Sequence, residues 1–257
     1  MFKTRIEVKG LDLAIARNAR IKQEILPATI TALNATGDQI LKALKDQMIK
    51  DFDRPTPYTL NSLTRTKAKP GKLYVTILPK DWAAGKGTEA DKYLKPEIYG
   101  GDRNVKRFEL ALRRKRILPF DMYAVPGNGA TLDAYGNMSR GQIVQILSFF
   151  GGAEKSAGYT ANMTEKGKAR LAKGSRKRGR GFEYFVARPG NKHNLHAGIY
   201  QRFIFAWGKA NEVKAVLIFV KKPVYRKRYR WGEVASETAM SNWAGNFRAA
   251  MGVTSNV

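Results

Sequence analysis

The chain has no cysteine, only two histidines and only 21 acidic residues in 257 positions. The lack of cysteine rules out disulfides, thiolate metal sites and a cysteine nucleophile, and leaves the compartment open. The two histidines stand in His193-Asn194-Leu195-His196, a spacing of three that can place two metal ligands on one helical face. Pro189, Gly190 and Gly198 flank them, however, so the pair reads as a loop. Asp51, Asp53 and Asp81 lie near proline turns, where Asp is an ordinary turn and capping residue. No spacing brings two carboxylates together in the way hydrolysis of a glycosidic or phosphodiester bond requires. The phosphate-binding Gly-x-x-x-x-Gly-Lys-Ser/Thr loop is missing, and so is the Gly-x-Ser-x-Gly elbow. No apolar run approaches a membrane span, and the longest, Ala215 to Val220, reads as a buried strand. Met1 to Val8 has no apolar stretch, so no signal peptide is expected. Neither a catalytic residue nor a cofactor or metal is expected.

What the chain has in excess is positive charge. Lys and Arg number 47, giving a net charge of +26. Such a surplus repels itself in a compact state and favours a polyanion or an acidic neighbour as partner. With 43% hydrophobic residues the chain can still bury a core.

Periodicity sketches the elements. Phe2, Ile6 and Val8 alternate in a short strand ending at Gly10. Ile30, Leu33, Gly37, Ile40, Leu41, Leu44 and Met48 predict one face of a long helix, with Pro27 in its first turn. Arg54-Pro55-Thr56-Pro57 ends it, and a helical turn at 59–63 and a strand at Leu73 to Leu78 follow. A short helix at 104–114 would bury Val105, Phe108, Ala111 and Leu112. Pro119, Pro126, Gly127 and Gly129 make 118–135 read as a loop. Ser139 and Gln142 form a candidate capping box for a helix running to Phe150, stopped by Gly151-Gly152. Residues 155–180 hold nine basic residues and one acidic, and read as a flexible basic loop. Strands are predicted at Phe182 to Ala187, Ile199 to Trp207 and Val213 to Val220, the last central in a sheet. A closing helix runs from Gly232 to Met251, with Val234, Thr238, Trp243, Phe247 and Met251 on its inner side.

This order predicts an α+β fold, a mainly antiparallel sheet packed against a long N-terminal helix and a C-terminal helix. Both helices are expected on one face of the sheet that contains Val216 to Phe219. Residues 1–84 and 182–257 would form the core domain, and 85–181 an insertion with short helices and a basic flexible loop.

Two basic stretches are the candidate contacts. Lys173 to Gly181 is Gly-rich and contributes Arg176, Lys177, Arg178 and Arg180. Lys221 to Trp231 interleaves aromatics with Arg226, Lys227, Arg228 and Arg230. Charge with stacking suits a nucleic-acid strand. An acidic protein face, solvent or closure of the core by the aromatics are the alternatives.

The helix containing Gly37-Asp38-Gln39-Ile40-Leu41-Lys42-Ala43-Leu44-Lys45 leads to Pro55-Thr56-Pro57-Tyr58-Thr59-Leu60-Asn61-Ser62-Leu63 and a strand. Later, Gly198 to Arg202, Val216 to Val220, Tyr225 to Tyr229 and a helix ending Phe247-Arg248-Ala249-Ala250-Met251 follow in order. Over about 28–80 and 195–252 this resembles the tail-completion and neck proteins of tailed bacteriophages, of the minor tail protein Z type. The middle, 85–181, is longer than that family leads one to expect. The resemblance implies a non-catalytic virion protein, made in the bacterial cytoplasm and placed in a homo-oligomeric ring at the head–tail junction or top of the tail. Its implied partners are other neck, connector and tail proteins and packaged DNA, with no membrane. The alternative from charge alone is a sequence-independent nucleic-acid-binding protein.

Overall fold

The computed structural model describes residues 2–7, 21–81, 88–153, 155–156, 159–175, 180–190, 194–204 and 210–252. Along the chain come β1 (Thr4–Glu7), α1 (Leu26–Asp51), α2 (Pro57–Leu60), β2 (Leu63–Arg65), β3 (Tyr74–Pro79) and α3 (Ala90–Tyr99). There follow α4 (Arg107–Arg114), β4 (Met122–Pro126), α5 (Arg140–Phe149), β5 (Lys155–Ser156), β6 (Tyr159–Thr160) and α6 (Glu165–Lys173). The last elements are β7 (Phe182–Ala187), β8 (Gly198–Ile204), β9 (Ala210–Lys221) and α7 (Trp231–Ala250). The fold is α+β, and the chain divides into two compact units, Met1–Gly101 with Tyr225–Val257, and Asp102–Val224.

In the first unit α1 follows the predicted stripe. Leu33, Ile40, Leu44 and Met48 have no exposed surface, and Pro27 sits in the first turn. The long C-terminal helix α7 packs along α1. The sheet has the order β1–β3–β2 and is antiparallel, pairing Thr4 with Ile77 and Leu63 with Pro79. Strand β3 alternates as period two requires, with Val75 and Ile77 fully buried in the core shared with α1, Leu94, Trp231 and Val234. A glycine is needed where α1 crosses β3: a Cβ on Gly37 would stand 2.7 Å from the Val75 side chain. The Asn34 amide holds the turn after β2, accepting from Ala68 N at 3.0 Å and donating to Ala68 O at 3.2 Å.

The second unit is a four-stranded antiparallel sheet in the order β4–β9–β8–β7. Strand β9 lies between two partners, as its apolar run predicts. Its register shifts between Ala215 and Leu217, which breaks the alternation and lets Val216 and Leu217 both be buried. Asn128 accepts from Ala215 N at this bulge, and a Cβ on Gly127 would meet Ala215 O at 2.4 Å. Leu112, Leu118, Ile146, Tyr184 and Ile199 complete this core.

Several expectations change. The strand at 216–219 is not covered by α1 and α7, which pack on the three-stranded sheet of their own unit. Its apolar side chains pack instead with Leu112 of α4 and Ile146 of α5, and β4, in a stretch read as loop, gives β9 a second hydrogen-bonded neighbour. The boundaries therefore fall near 102 and 224, and 182–224 belongs with the middle of the chain rather than with a core domain of 1–84 and 182–257. The basic loop at 155–180 contains the β5–β6 hairpin and helix α6. Thr164 caps α6 by accepting from Gly167 N, and Leu171 packs against the second core. Ser139 caps α5 as expected, but the Gln142 side chain completes no box. It accepts from Thr131 N and donates to Gly129 O.

Candidate cationic interface

Arg226, Lys227, Arg228 and Arg230 stand just before α7 in the first unit, all exposed. Two of the aromatics of this stretch, Tyr229 and Trp231, do not offer stacking surfaces. Tyr229 has no exposed surface and donates its hydroxyl to Leu44 O at 3.2 Å. Trp231 is also buried and donates its indole N–H to Thr4 Oγ1 at 2.6 Å. Those two rings close the core, the alternative to stacking for this stretch, and Tyr225 is half-buried.

The basic groups there are also largely spoken for. Arg228 grips Glu97 with both Nε and Nη2, the latter at 3.0 Å, and lies over the Phe52 ring. The backbone N–H groups of Arg228 and Tyr229 both donate to Glu97 O. The Glu97 carboxylate raises the Arg228 pKa above its ordinary value. Arg230 pairs with Glu233 and Glu237, and Lys227 reaches Glu233 at 3.3 Å. Hydrogen bonds from Arg230 and Lys227 hold the Glu233 carboxyl below its usual value. Arg226 alone of the four has no carboxylate within ion-pair distance among the described residues.

Arg176, Lys177 and Arg178 lie outside the described residues. Arg180 is described and exposed in the second unit, so the eight sequence candidates do not form one surface within either unit. His196 is exposed in the turn before β8, where its carbonyl accepts the Tyr200 hydroxyl at 2.9 Å, while His193 lies outside the described residues. Among the described residues no group of three or more His, Asp or Glu could hold a metal ion.

A buried carboxylate that the sequence did not single out holds the second unit together locally. Glu109 on α4 is wholly buried and accepts from Arg103 Nη1 at 3.0 Å and Nη2 at 2.5 Å, Lys106 N at 2.7 Å and Ala124 N at 2.9 Å. Burial alone would raise its pKa. The Arg103 fork and the two backbone N–H donors outweigh burial and hold it below its ordinary 4.5. Its role is to tie α4 to β4. Arg103 and Arg113 both lie against the Tyr123 ring.

Two further basic sites emerge from the fold. Lys42 and Lys45 of α1 and Lys80 beyond β3 line a shallow cleft of about 230 Å³, floored by Leu41, Leu60 and Leu63. In the second unit Lys166, Arg170 and Lys173 stand exposed along one face of α6. The local signal for α6 was present, a Thr three residues before Gly167 and a lysine–arginine spacing of four and three, but the surrounding charge masked it. No protein-family model, curated protein or solved structure matches the chain.

Proposed function

We propose that this chain is a structural subunit of a tailed-bacteriophage virion, a non-catalytic part of the head–tail neck or tail-completion ring at the top of the tail. The observation that carries this reading is how its charge is distributed. Many of the carboxylates are drawn into internal pairs, among them Asp38–Arg65, Glu97–Arg228, Glu109–Arg103, Glu183–Arg202, Glu212–Lys214 and Glu233–Arg230. They cannot also neutralise the remaining lysines and arginines. A net charge of +26 is therefore left for something outside the chain to balance, which an assembly with acidic neighbours and DNA provides. The resemblance adds support, because its segments 28–80 and 225–252 meet in one body through the packing of α1 on α7. Residues 195–224, its remaining part, build the second unit.

In this reading the partners are other neck, connector and tail proteins, further copies of the chain in a ring, and packaged DNA. Mass spectrometry of purified particles, with images of the neck, tests it. The expected result is this chain in several copies per particle, at the head–tail junction. Its absence from purified particles, with the protein instead on nucleic acid in infected cells, would favour the second reading. That reading is a free-standing, sequence-independent nucleic-acid binder, and the unpaired cations of α6 are what favour it.

A further inference from the structure

Helix α6 is fixed in place on one side and bare on the other. Its inner side sends Leu171 to the second core, and Lys168 reaches over the Phe149 ring at 5.3 Å. Its only carboxylate, Glu165, is taken by Lys168 at 2.8 Å. On the outer side Lys166, Arg170 and Lys173 fall within an arc of about 60°, spaced along the axis by about 6 and about 4.5 Å. Ala169 is the other exposed residue of this face, and its methyl group does not hold a ligand away. Among the described residues no carboxylate lies within ion-pair distance of these three cations.

We propose that this face of α6 is a binding site for the phosphate backbone of double-stranded DNA, engaged without regard to sequence. The site deepens the contact with packaged DNA put forward above. Three features select this ligand. A protein interface has an apolar centre from which charges are depleted, and this face has none. The Lys42, Lys45 and Lys80 cleft has such an apolar floor and serves as the contrast. Single-strand sites need aromatic platforms, and α6 contains no aromatic residue. Duplex DNA presents one charge for about every 1.7 Å of axis, dense enough for each cation on a rigid helix to find a phosphate without a defined register.

The test is salt-dependent binding of a short mixed-sequence duplex to the full chain. Lys166→Gln, Arg170→Gln and Lys173→Gln together are compared with Lys42→Gln, Lys45→Gln and Lys80→Gln together, which removes the same charge elsewhere. The α6 variant should lose about tenfold or more in affinity at moderate salt, and its slope of log K on log salt should shrink by about 2–3. The control should stay close to wild type. Ala169→Glu, a single exposed change that puts a carboxylate amid the cations, should act in the same direction if the triple variant does not fold. Polyglutamate should displace the duplex poorly. The proposal is overturned if both triple variants weaken equally, if the α6 variant and Ala169→Glu bind like wild type, or if polyglutamate competes as well as duplex. Each of these outcomes leaves the particle test intact, because a neck subunit that never touches DNA passes that test and fails this one.

Discussion

Helix α1 runs for 26 residues, continuing from a π-helical turn at Ile21–Ile25 with no side-chain cap, and α7 runs for 20 residues with no side-chain cap at Arg230. The helices of the second unit are eight to ten residues long, and each starts on a side-chain acceptor. Glu109 takes Lys106 N, Ser139 takes Gln142 N and Thr164 takes Gly167 N. Nucleation costs the same for a long helix as for a short one, while packing gains grow with length. The two long helices of the first unit are therefore held by their buried stripes, and the helices of the second unit by their ends as well, as is the short α2 of the first, where Thr56 accepts from Thr59 N. Two of the ion pairs differ in parallel. The Arg228 side chain is 50% exposed in its pair with Glu97, whereas Arg103 is 13% exposed against a fully buried Glu109.

The largest effect is expected where packing alone supports a helix. Leu44→Asp would place an unpaired charge in a site with no exposed surface, at a cost of more than about 4 kcal/mol. Amide exchange should show α1, β3 and α7 losing protection together. Protection that stays at wild-type levels would break the account of α1 as a helix held by its stripe. The same measurement on Ile146→Ala, at about 2–4 kcal/mol, should loosen α5 and the sheet of the second unit.

The buried carboxylates sharpen the comparison next. Glu109→Ala strands the Arg103 guanidinium and the N–H groups of Lys106 and Ala124, and should cost about 3–5 kcal/mol. Glu97→Ala should cost only about 1–2 kcal/mol, because water can reach Arg228. Denaturant midpoints give the order, and equal losses would mean that exposure of the arginine does not set the cost.

Acid should test the Glu109 site directly. The Glu109 pKa is lowered by folding, so its contribution is fully present above its unfolded value near 4.5 and is lost as pH falls through the lower folded value. Exchange protection at the Ala124 amide, corrected for intrinsic rate, should therefore decline below pH 4.5 in wild type. In Glu109→Ala this acid-dependent component should be gone. An Ala124 amide whose protection is flat into strong acid would show that the carboxylate is not what holds it.

The two kinds of stabilisation also explain what could be read in advance. The stripe of α1 is written as a repeat over many residues, so the helix, its Pro27 start and its proline stop were all legible. The strand Met122–Pro126 was not, because five residues between prolines and glycines carry no period. Its identity depends on hydrogen bonds to β9, about ninety residues later in the chain. That missed strand also misplaced the unit boundary. In 221–231 the alternation of rings and cations was visible, but which rings turn inward was not. The burial of Tyr229 and Trp231 against α1 and β1 is a tertiary fact. Glu109 was hidden for the same reason, since its partners Arg103 and Ala124 come from either side of α4.

Helix α6 offers the finest test, because its cap and its single anchor can be weighed separately. Its nine residues include Gly167, and Leu171 is the one large apolar side chain it sends to the core. A helix this short and this charged should lean on its cap more than α5, which also buries Ile146 and Gln142. Thr164→Ala removes the acceptor for Gly167 N and should cost about 1 kcal/mol, felt first as faster exchange in the opening turn. Thr164→Ser keeps an acceptor oxygen and should restore most of the protection. Ser139→Ala on α5 should raise exchange less. If Thr164→Ala leaves the first turn as protected as before, α6 is held by packing in the manner of α1, and the contrast between the units reduces to length. If it frays the turn while Leu171 stays packed, the cap sets the order of the segment that carries Lys166.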